Sequence, residues 1–382
     1  MMPQLPPFAW ILIVAALVVG ILAGHFGWGS RWTRRMGRLH ADYLAGLDYL
    51  ISEQPDRALD SFLKLMDTNL DTLETHFALG SLYRRRGETE RAIRVHRNLL
   101  SRNLAPEHRE QALLALAQDY LRAGLLDRAE GLFQQVSDGT RLRGRALEAL
   151  RGIYERQRDW VQALDAHRQL DGLGMAPPLS VAAHYLCELA TYHLDRGDVD
   201  EARHLLRMAR REAAPFPRAA VLRAQIAERA GQMDLAARLL TWALELAPKL
   251  LYDELAHLLR LAGEGGRERV LVELLRRAQL RAGGDFKGLV YAALALSPTD
   301  ALGSLREPIE LVVAREPTLL AIRQSAPQAT FEQFAAQVGA MLARAESYRC
   351  ADCGFAARRF YWQCPGCHSW DGFEACAIIK LR

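Results

Sequence analysis

The stretch that decides the fold is Leu79-Gly80-Ser81-Leu82-Tyr83, followed by Arg86-Gly87 and then by Ala92. Its apolar residues keep helical spacing, the glycine at 87 marks a turn, and a second helical stretch carrying a small residue follows. The same grammar recurs. Small residues at Gly46, Gly80, Ala117, Ala190 and Ala224 each have an alanine twelve positions later, at Ala58, Ala92, Ala129, Ala202 and Ala236. Arg151 and Ala163 keep that spacing while departing at the first position. A small side chain there lets one helix cross its partner closely. Tyr83, Tyr120 and Tyr154 on first helices, and Phe62 and Phe133 on second helices, fill the space between pairs.

Those alanines are separated by 34, 37, 34, 39 and 34 residues. The period is that of the tetratricopeptide repeat, so the sequence predicts an all-α tetratricopeptide-repeat solenoid of about six repeats over residues 39–249, with Pro248 closing the last unit. Residues 250–347 read as degenerate helical repeats, interrupted by Pro298, Pro308, Pro317 and Pro327. In such solenoids the first helices line a concave face. By resemblance to the repeat family, the groove positions are Tyr43, Phe77, Arg84, Leu114, Gln118, Arg122, Glu148, Cys187, Thr191, Gln225 and Arg229. This mixed polar and apolar set suits an extended peptide or a partner helix.

Before the repeats, no polar side chain interrupts Phe8 to Ala23, and Gly24 to Trp28 extend the run to the roughly 20 residues a spanning helix needs. Met1 to Pro7 carry no Lys or Arg, whereas Arg31, Arg34, Arg35 and Arg38 follow the apolar run, which argues against a signal peptide. Residues 1–30 are therefore expected to be a transmembrane anchor and residues 31–38 a basic juxtamembrane segment. The positive-inside rule then puts the C-terminal bulk on the cytoplasmic side of a single-pass protein. Gly20 and Gly24, extended by Ala16, allow close helix contact and leave a homodimer open.

At the other end, Cys350 and Cys353 form one Cys-x-x-Cys pair and Cys364 and Cys367 a second, ten residues on. Two such pairs place four thiolates on tight turns that converge on one metal ion, zinc or iron. Residues 348–382 are too few to build a core of their own, so the metal replaces it. Gly354 and Gly366 are expected to relieve the turns, and Phe355, Phe360, Tyr361, Trp362 and Trp370 to form an aromatic shell that meets a partner. The last helix leads straight into Cys350, so module and array are expected to form one rigid body.

With half of its 382 residues apolar, the chain can bury a large core. A net charge of +4 with scattered arginines gives no concentrated face for nucleic acid. No Gly-rich phosphate loop, His-Glu-x-x-His or Gly-x-Ser-x-Gly occurs, and the histidines fall singly on helices, so no enzyme is expected.

An anchor, a tetratricopeptide array and a terminal four-cysteine module together resemble the lipopolysaccharide assembly protein B family of Gram-negative bacteria. The carriers are Asp42-Tyr43-Leu44-Ala45-Gly46, Arg85 to Arg94, Ala123 to Glu130, and Tyr348-Arg349-Cys350 through Trp370. The resemblance implies a rubredoxin-like module and an inner-membrane adaptor that promotes turnover of the lipid A deacetylase, its client, by the membrane protease FtsH. It also implies contact with other lipopolysaccharide assembly or transport proteins. Two alternatives remain: a rubredoxin-like electron carrier, and a general tetratricopeptide scaffold for another membrane assembly.

Overall fold

A computed structural model describes residues 73–138, 141–175, 177–263 and 348–375, the segment 317–330, and scattered positions between 45 and 58 and between 266 and 340. The candidate span at residues 8–28, the basic segment 31–38, Tyr43 and Phe62 lie outside the described residues. Among the described residues no helix is long and apolar enough to cross a membrane. The chain divides into two compact units, residues 1–157 and 158–382.

The first unit contains α1 (Leu73–Arg85), α2 (Thr89–Leu100), α3 (Pro106–Arg122), α4 (Leu126–Ser137) and α5 (Arg143–Gln157). The repeating small residues sit where the helices cross: Ala92, Ala117 and Ala129 are fully buried, as is Phe133. Leu79, Tyr83 and Ala92 form a core cluster against which Val95 packs. The α1–α2 turn closes with Gly87 donating to the Arg84 carbonyl and Glu88 to that of Tyr83, the hydrogen bonds that terminate a helix at a left-handed residue. Gly87 has φ of 82°, and Gly124, Gly197 and Gly231 repeat the conformation in their own turns, at 77°, 82° and 73°.

One buried polar group ties the first two described helix pairs together. Asp119 on α3 is fully buried and accepts from Arg84 on α1 at 2.7 Å and from His96 Nδ1 on α2. Arg84 also donates to the Ala115 carbonyl at 3.2 Å. A carboxylate taken out of water is costly unless its oxygens are satisfied, and here two cationic or polar donors share it. The His96 ring lies directly over Gly80, where any Cβ would overlap the imidazole.

The second unit contains α6 (Trp160–Gly172), α7 (Leu179–Asp195), α8 (Val199–Glu212), α9 (Pro217–Arg229), α10 (Met233–Leu246), a 3₁₀ turn at Pro248–Leu250, α11 (Leu251–Leu261) and α12 (Pro317–Ser325). Asp159 and Asp198 cap α6 and α8, their side chains accepting from the Gln162 and Glu201 amides. Ala163, Ala190, Ala202, Ala224 and Ala236 are again fully buried. A larger apolar cluster runs from Ala220 and Leu240 through Leu255 and Leu258 to Phe334 and Val338, so the chain past Pro248 packs onto the last clear repeat.

Three short strands close the second unit: β1 (Tyr348–Cys350), β2 (Ala356–Ala357) and β3 (Phe373–Ala375), in the order β2-β1-β3 with both pairings antiparallel. The strict all-α expectation is thus corrected for this module. Cys350 faces Phe373 across the sheet, and β1 with β2 forms a hairpin around the first cysteine pair.

Candidate metal centre

The two Cys-x-x-Cys segments adopt one conformation twice. Cys350 donates its amide to the Phe355 carbonyl and accepts at its own carbonyl from Gly354; Cys364 does the same with Ser369 and His368. The residue after each second cysteine is left-handed, Gly354 at φ 76° and His368 at φ 61°. Gly366 therefore does not have the role the sequence suggests. Its Cα lies instead close to Phe355 and the Cys353 sulfur, where a Cβ would come within 3.5 Å of Sγ.

These turns bring the four sulfurs within 4.8 Å of one another. Cys350 and Cys367 are 3.7 Å apart, Cys353 and Cys364 3.6 Å. A tetrahedral ion with bonds of about 2.3 Å to sulfur has edges of about 3.8 Å, so the donor set fits such an ion. Gly372 packs against this cage: a Cβ there would meet Cys350 Sγ at 3.3 Å and Asp352 Oδ2 and Ser369 Oγ at 2.9 Å.

Local donors tune the sulfurs. Burial raises the Cys350 thiol, but the amides of Cys353 and Asp352 and the Ser369 hydroxyl outweigh it and bring it to about 6. The Ser369 hydroxyl, 3.1 Å from Cys367, also holds that thiol below its usual range. For Cys353 the Phe355 amide pulls downward, yet burial and the neighbouring thiols push it up to about 12. Cys364 is raised chiefly by burial, against the Cys367 and Gly366 amides. Such donors orient the ligands and favour the thiolates a metal needs.

The module is seated on the helices of its own unit. Trp370 stacks on His184 of α7, with ring centroids 4.6 Å apart, and meets Trp160 of α6 and Tyr185 edge-on. His184 Nε2 donates to Asp371 Oδ1 at 2.9 Å. Arg218 of α9 pairs with Glu188 at 2.6 Å, donates to His184 Nδ1 at 3.2 Å and lies over Trp362 and Trp370. Lys249, in the turn that Pro248 opens, donates to the carbonyls of Phe373 at 2.9 Å and Asp371 at 3.2 Å. Asp253 of α11 accepts from the Phe360 amide at 2.6 Å. The aromatic shell is therefore mostly consumed within the chain; Phe355 is its exposed member.

Of the positions assigned to the groove, Leu114 and Cys187 are buried and contribute packing rather than contact. Burial pushes the Cys187 thiol up to about 12, which leaves it inert. Arg84 is engaged with Asp119, and Phe77 packs toward His96. Thr191 donates to the Cys187 carbonyl at 2.9 Å and Arg229 to that of Leu194 at 3.2 Å. Gln118 and Gln225 are half-buried, while Arg122, Glu148 and Arg229 are exposed. The docking residues had no sequence signal: His184, Arg218 and Lys249 are single polar residues on or beside helices, and Asp371 lies in the loop before β3.

Helical hairpins at a 34-residue period, carrying a four-thiolate cage folded against them, define a tetratricopeptide-repeat protein with a rubredoxin-like metal-binding module. Family models agree: the rubredoxin metal binding domain matches residues 348–375, and tetratricopeptide repeats match 75–110, 146–177 and 187–250. Lipopolysaccharide assembly protein B of Escherichia coli K12 is 31% identical over 369 residues, covering 92% of this chain and 95% of its own length. The Haemophilus influenzae protein of the same name is 26% identical over 393 residues, covering 92% and 96%. The chain belongs to the lipopolysaccharide assembly protein B family. Among solved structures, that of MamA protein aligns with a TM-score of 0.36 at 16% identity, covering 46% of this chain and 92% of that one.

Proposed function

We propose that this protein is a non-enzymatic adaptor of lipopolysaccharide assembly, tethered to the inner membrane by its first 30 residues with its bulk in the cytoplasm. In this reading it promotes FtsH-dependent proteolysis of the lipid A deacetylase and so sets the flow of material into lipopolysaccharide. The metal, zinc or iron, is structural. The observation that carries the non-enzymatic reading is the seating of the module: its tryptophans are packed onto α6, α7 and α9, where they stabilise the array rather than line a substrate pocket. Family membership supports the pathway. A tether supports the adaptor role physically, because it raises the effective concentration of a client near a membrane protease.

Depletion of the protein followed by measurement of deacetylase abundance tests this. Accumulation of the deacetylase is expected, with no further rise on depletion where FtsH is already inactive; unchanged abundance would reject lipid A control and favour a scaffold for another membrane assembly.

A further inference from the structure

A cavity of about 280 Å³ lies between α8, α9 and α10, on the side where successive second helices of the repeats meet. None of its lining residues is a groove position assigned from the repeat pattern, and none belongs to the metal module. Arg203, Arg207 and Arg210 of α8 line one wall. Their i, i+4, i+7 spacing makes a row about 10 Å long on one helix face. Arg223 of α9 stands beside it, and the remaining lining is largely apolar, with buried Ile226 in the floor and Leu239 and exposed Leu235 on α10 opposite.

The charge in this cavity is unbalanced. Arg203 reaches Asp200 at 3.1 Å, but Arg207, Arg210 and Arg223 have no carboxylate partner among the described residues. Arg223 is half-buried, and its burial together with the Arg210 charge holds its pKa below the usual guanidinium value. Withdrawing a cation from water beside like charges is unfavourable unless an anion completes the site. An exposed leucine at the opposite wall adds apolar surface that a bound group would cover.

We propose that this cavity docks an acidic peptide segment of a partner protein, whose carboxylates pair with the arginine row while an apolar side chain enters between Leu235 and Leu239. The linear spacing favours a peptide over a phosphorylated headgroup, because a single phosphate needs donors that converge on one point, whereas successive acidic side chains match a row. The floor is recessed between three helices, which a side chain reaches and a flat membrane surface does not. The inference is independent of the adaptor role above: it concerns a different surface and requires no particular client.

The test is a titration of the full-length protein with a fluorescein-labelled peptide of about twelve residues, glutamates around a central leucine, read by fluorescence anisotropy. Saturable binding that weakens with salt is expected, reduced at least about tenfold by the double change Arg207→Glu and Arg210→Glu, and severalfold by Leu235→Ser or by serine in place of the peptide leucine. Arg94→Glu on α2, an equally exposed arginine outside the cavity, is expected to leave binding unchanged. The milder pair Arg207→Gln and Arg210→Gln guards against misfolding, with unchanged thermal unfolding as the check. Absence of peptide binding, or binding indifferent to the arginine and leucine changes, overturns the proposal. So does arginine-dependent binding to phosphatidylglycerol vesicles or to inorganic phosphate without binding to the peptide.

Discussion

His184 Nε2 donates to Asp371 Oδ1 at 2.9 Å, joining residues 187 positions apart and fastening the metal module to α7, the second helix of its unit. His184 is fully buried, and its other ring nitrogen accepts from Arg218, so the neutral tautomer with the proton on Nε2 satisfies both neighbours. Asp371→Ala removes the acceptor and strands a buried donor, a loss of about 1–3 kcal/mol. The expected outcome is a lower unfolding midpoint and faster proteolytic release of the module, with the metal content of the intact chain unchanged. An unchanged midpoint and cleavage rate would show that the aromatic contacts alone hold the module.

The same pair gives docking a pH dependence. Burial lowers the His184 pKa, and the Asp371 bond only partly opposes this. The unfolded chain therefore binds the proton more readily than the folded one, so stability is full above about pH 6.5 and falls as the pH drops through that value toward the lower folded one. Burial works against the Asp371 carboxylate, but His184 and Lys249 hold it below its usual range, so its own contribution is full above about pH 4 and is lost as the pH falls from there toward the lower folded value. A melting series from pH 7.5 to 5.5 should show this loss, and His184→Gln should flatten it. Equal slopes for both proteins would refute the assignment.

The repeat grammar was legible because it is a packing rule written at one residue type per position. Ala92, Ala129, Ala163, Ala202 and Ala236 had to be small, and all are fully buried. The cysteine cage was legible because metal chemistry fixes both residue type and spacing. The seating of the module was not, since His184 and Asp371 obey no periodicity and their meeting depends on how α6, α7 and α9 stack. The second left-handed knuckle residue escaped for a similar reason: His368 takes a conformation that sequence assigns to glycine, held there by its hydrogen bond to Cys364.

Gly80 is set by its neighbour rather than by helix propensity. Its Cα faces the His96 ring, and that ring is locked by Asp119, so the ring cannot step aside. Gly80→Ala, which would ordinarily favour a helix, is expected to destabilise the first unit by about 1–3 kcal/mol. In a double-mutant cycle, His96→Ala should remove most of that penalty. Additive costs would place the strain elsewhere.

Lys249 is expected to matter as a donor more than as a charge. Its ammonium serves the Phe373 and Asp371 carbonyls and lies over the Phe360 ring, whereas its approach to Glu374 is a longer 3.5 Å. Lys249→Met keeps the apolar stem and loses both hydrogen bonds, at about 1–3 kcal/mol. Glu374→Gln should cost little, as exposed ion pairs do. Comparable losses from the two changes would show the ion pair to be the dominant contact.

Metal loading should release protons in a number that the cage itself sets. Without metal, Cys350 at about 6 is a thiolate at pH 7.5, while Cys353 at about 12 and the raised Cys364 keep their protons, and Ser369 holds Cys367 below its usual range. A closed site needs all four sulfurs deprotonated, so binding one ion should expel fewer than four protons, those of Cys353 and Cys364 among them. Calorimetric titration of the metal-free chain with zinc, repeated in buffers of different ionisation enthalpy, counts them. The affinity should fall as the pH is lowered, and more steeply below about pH 6, where Cys350 also takes up a proton. Ser369→Ala withdraws the hydroxyl that lowers both Cys350 and Cys367, and should raise the proton count toward four and weaken binding. A count near four in the unaltered protein would mean that the amides and Ser369 do not hold Cys350 as a thiolate before the metal arrives.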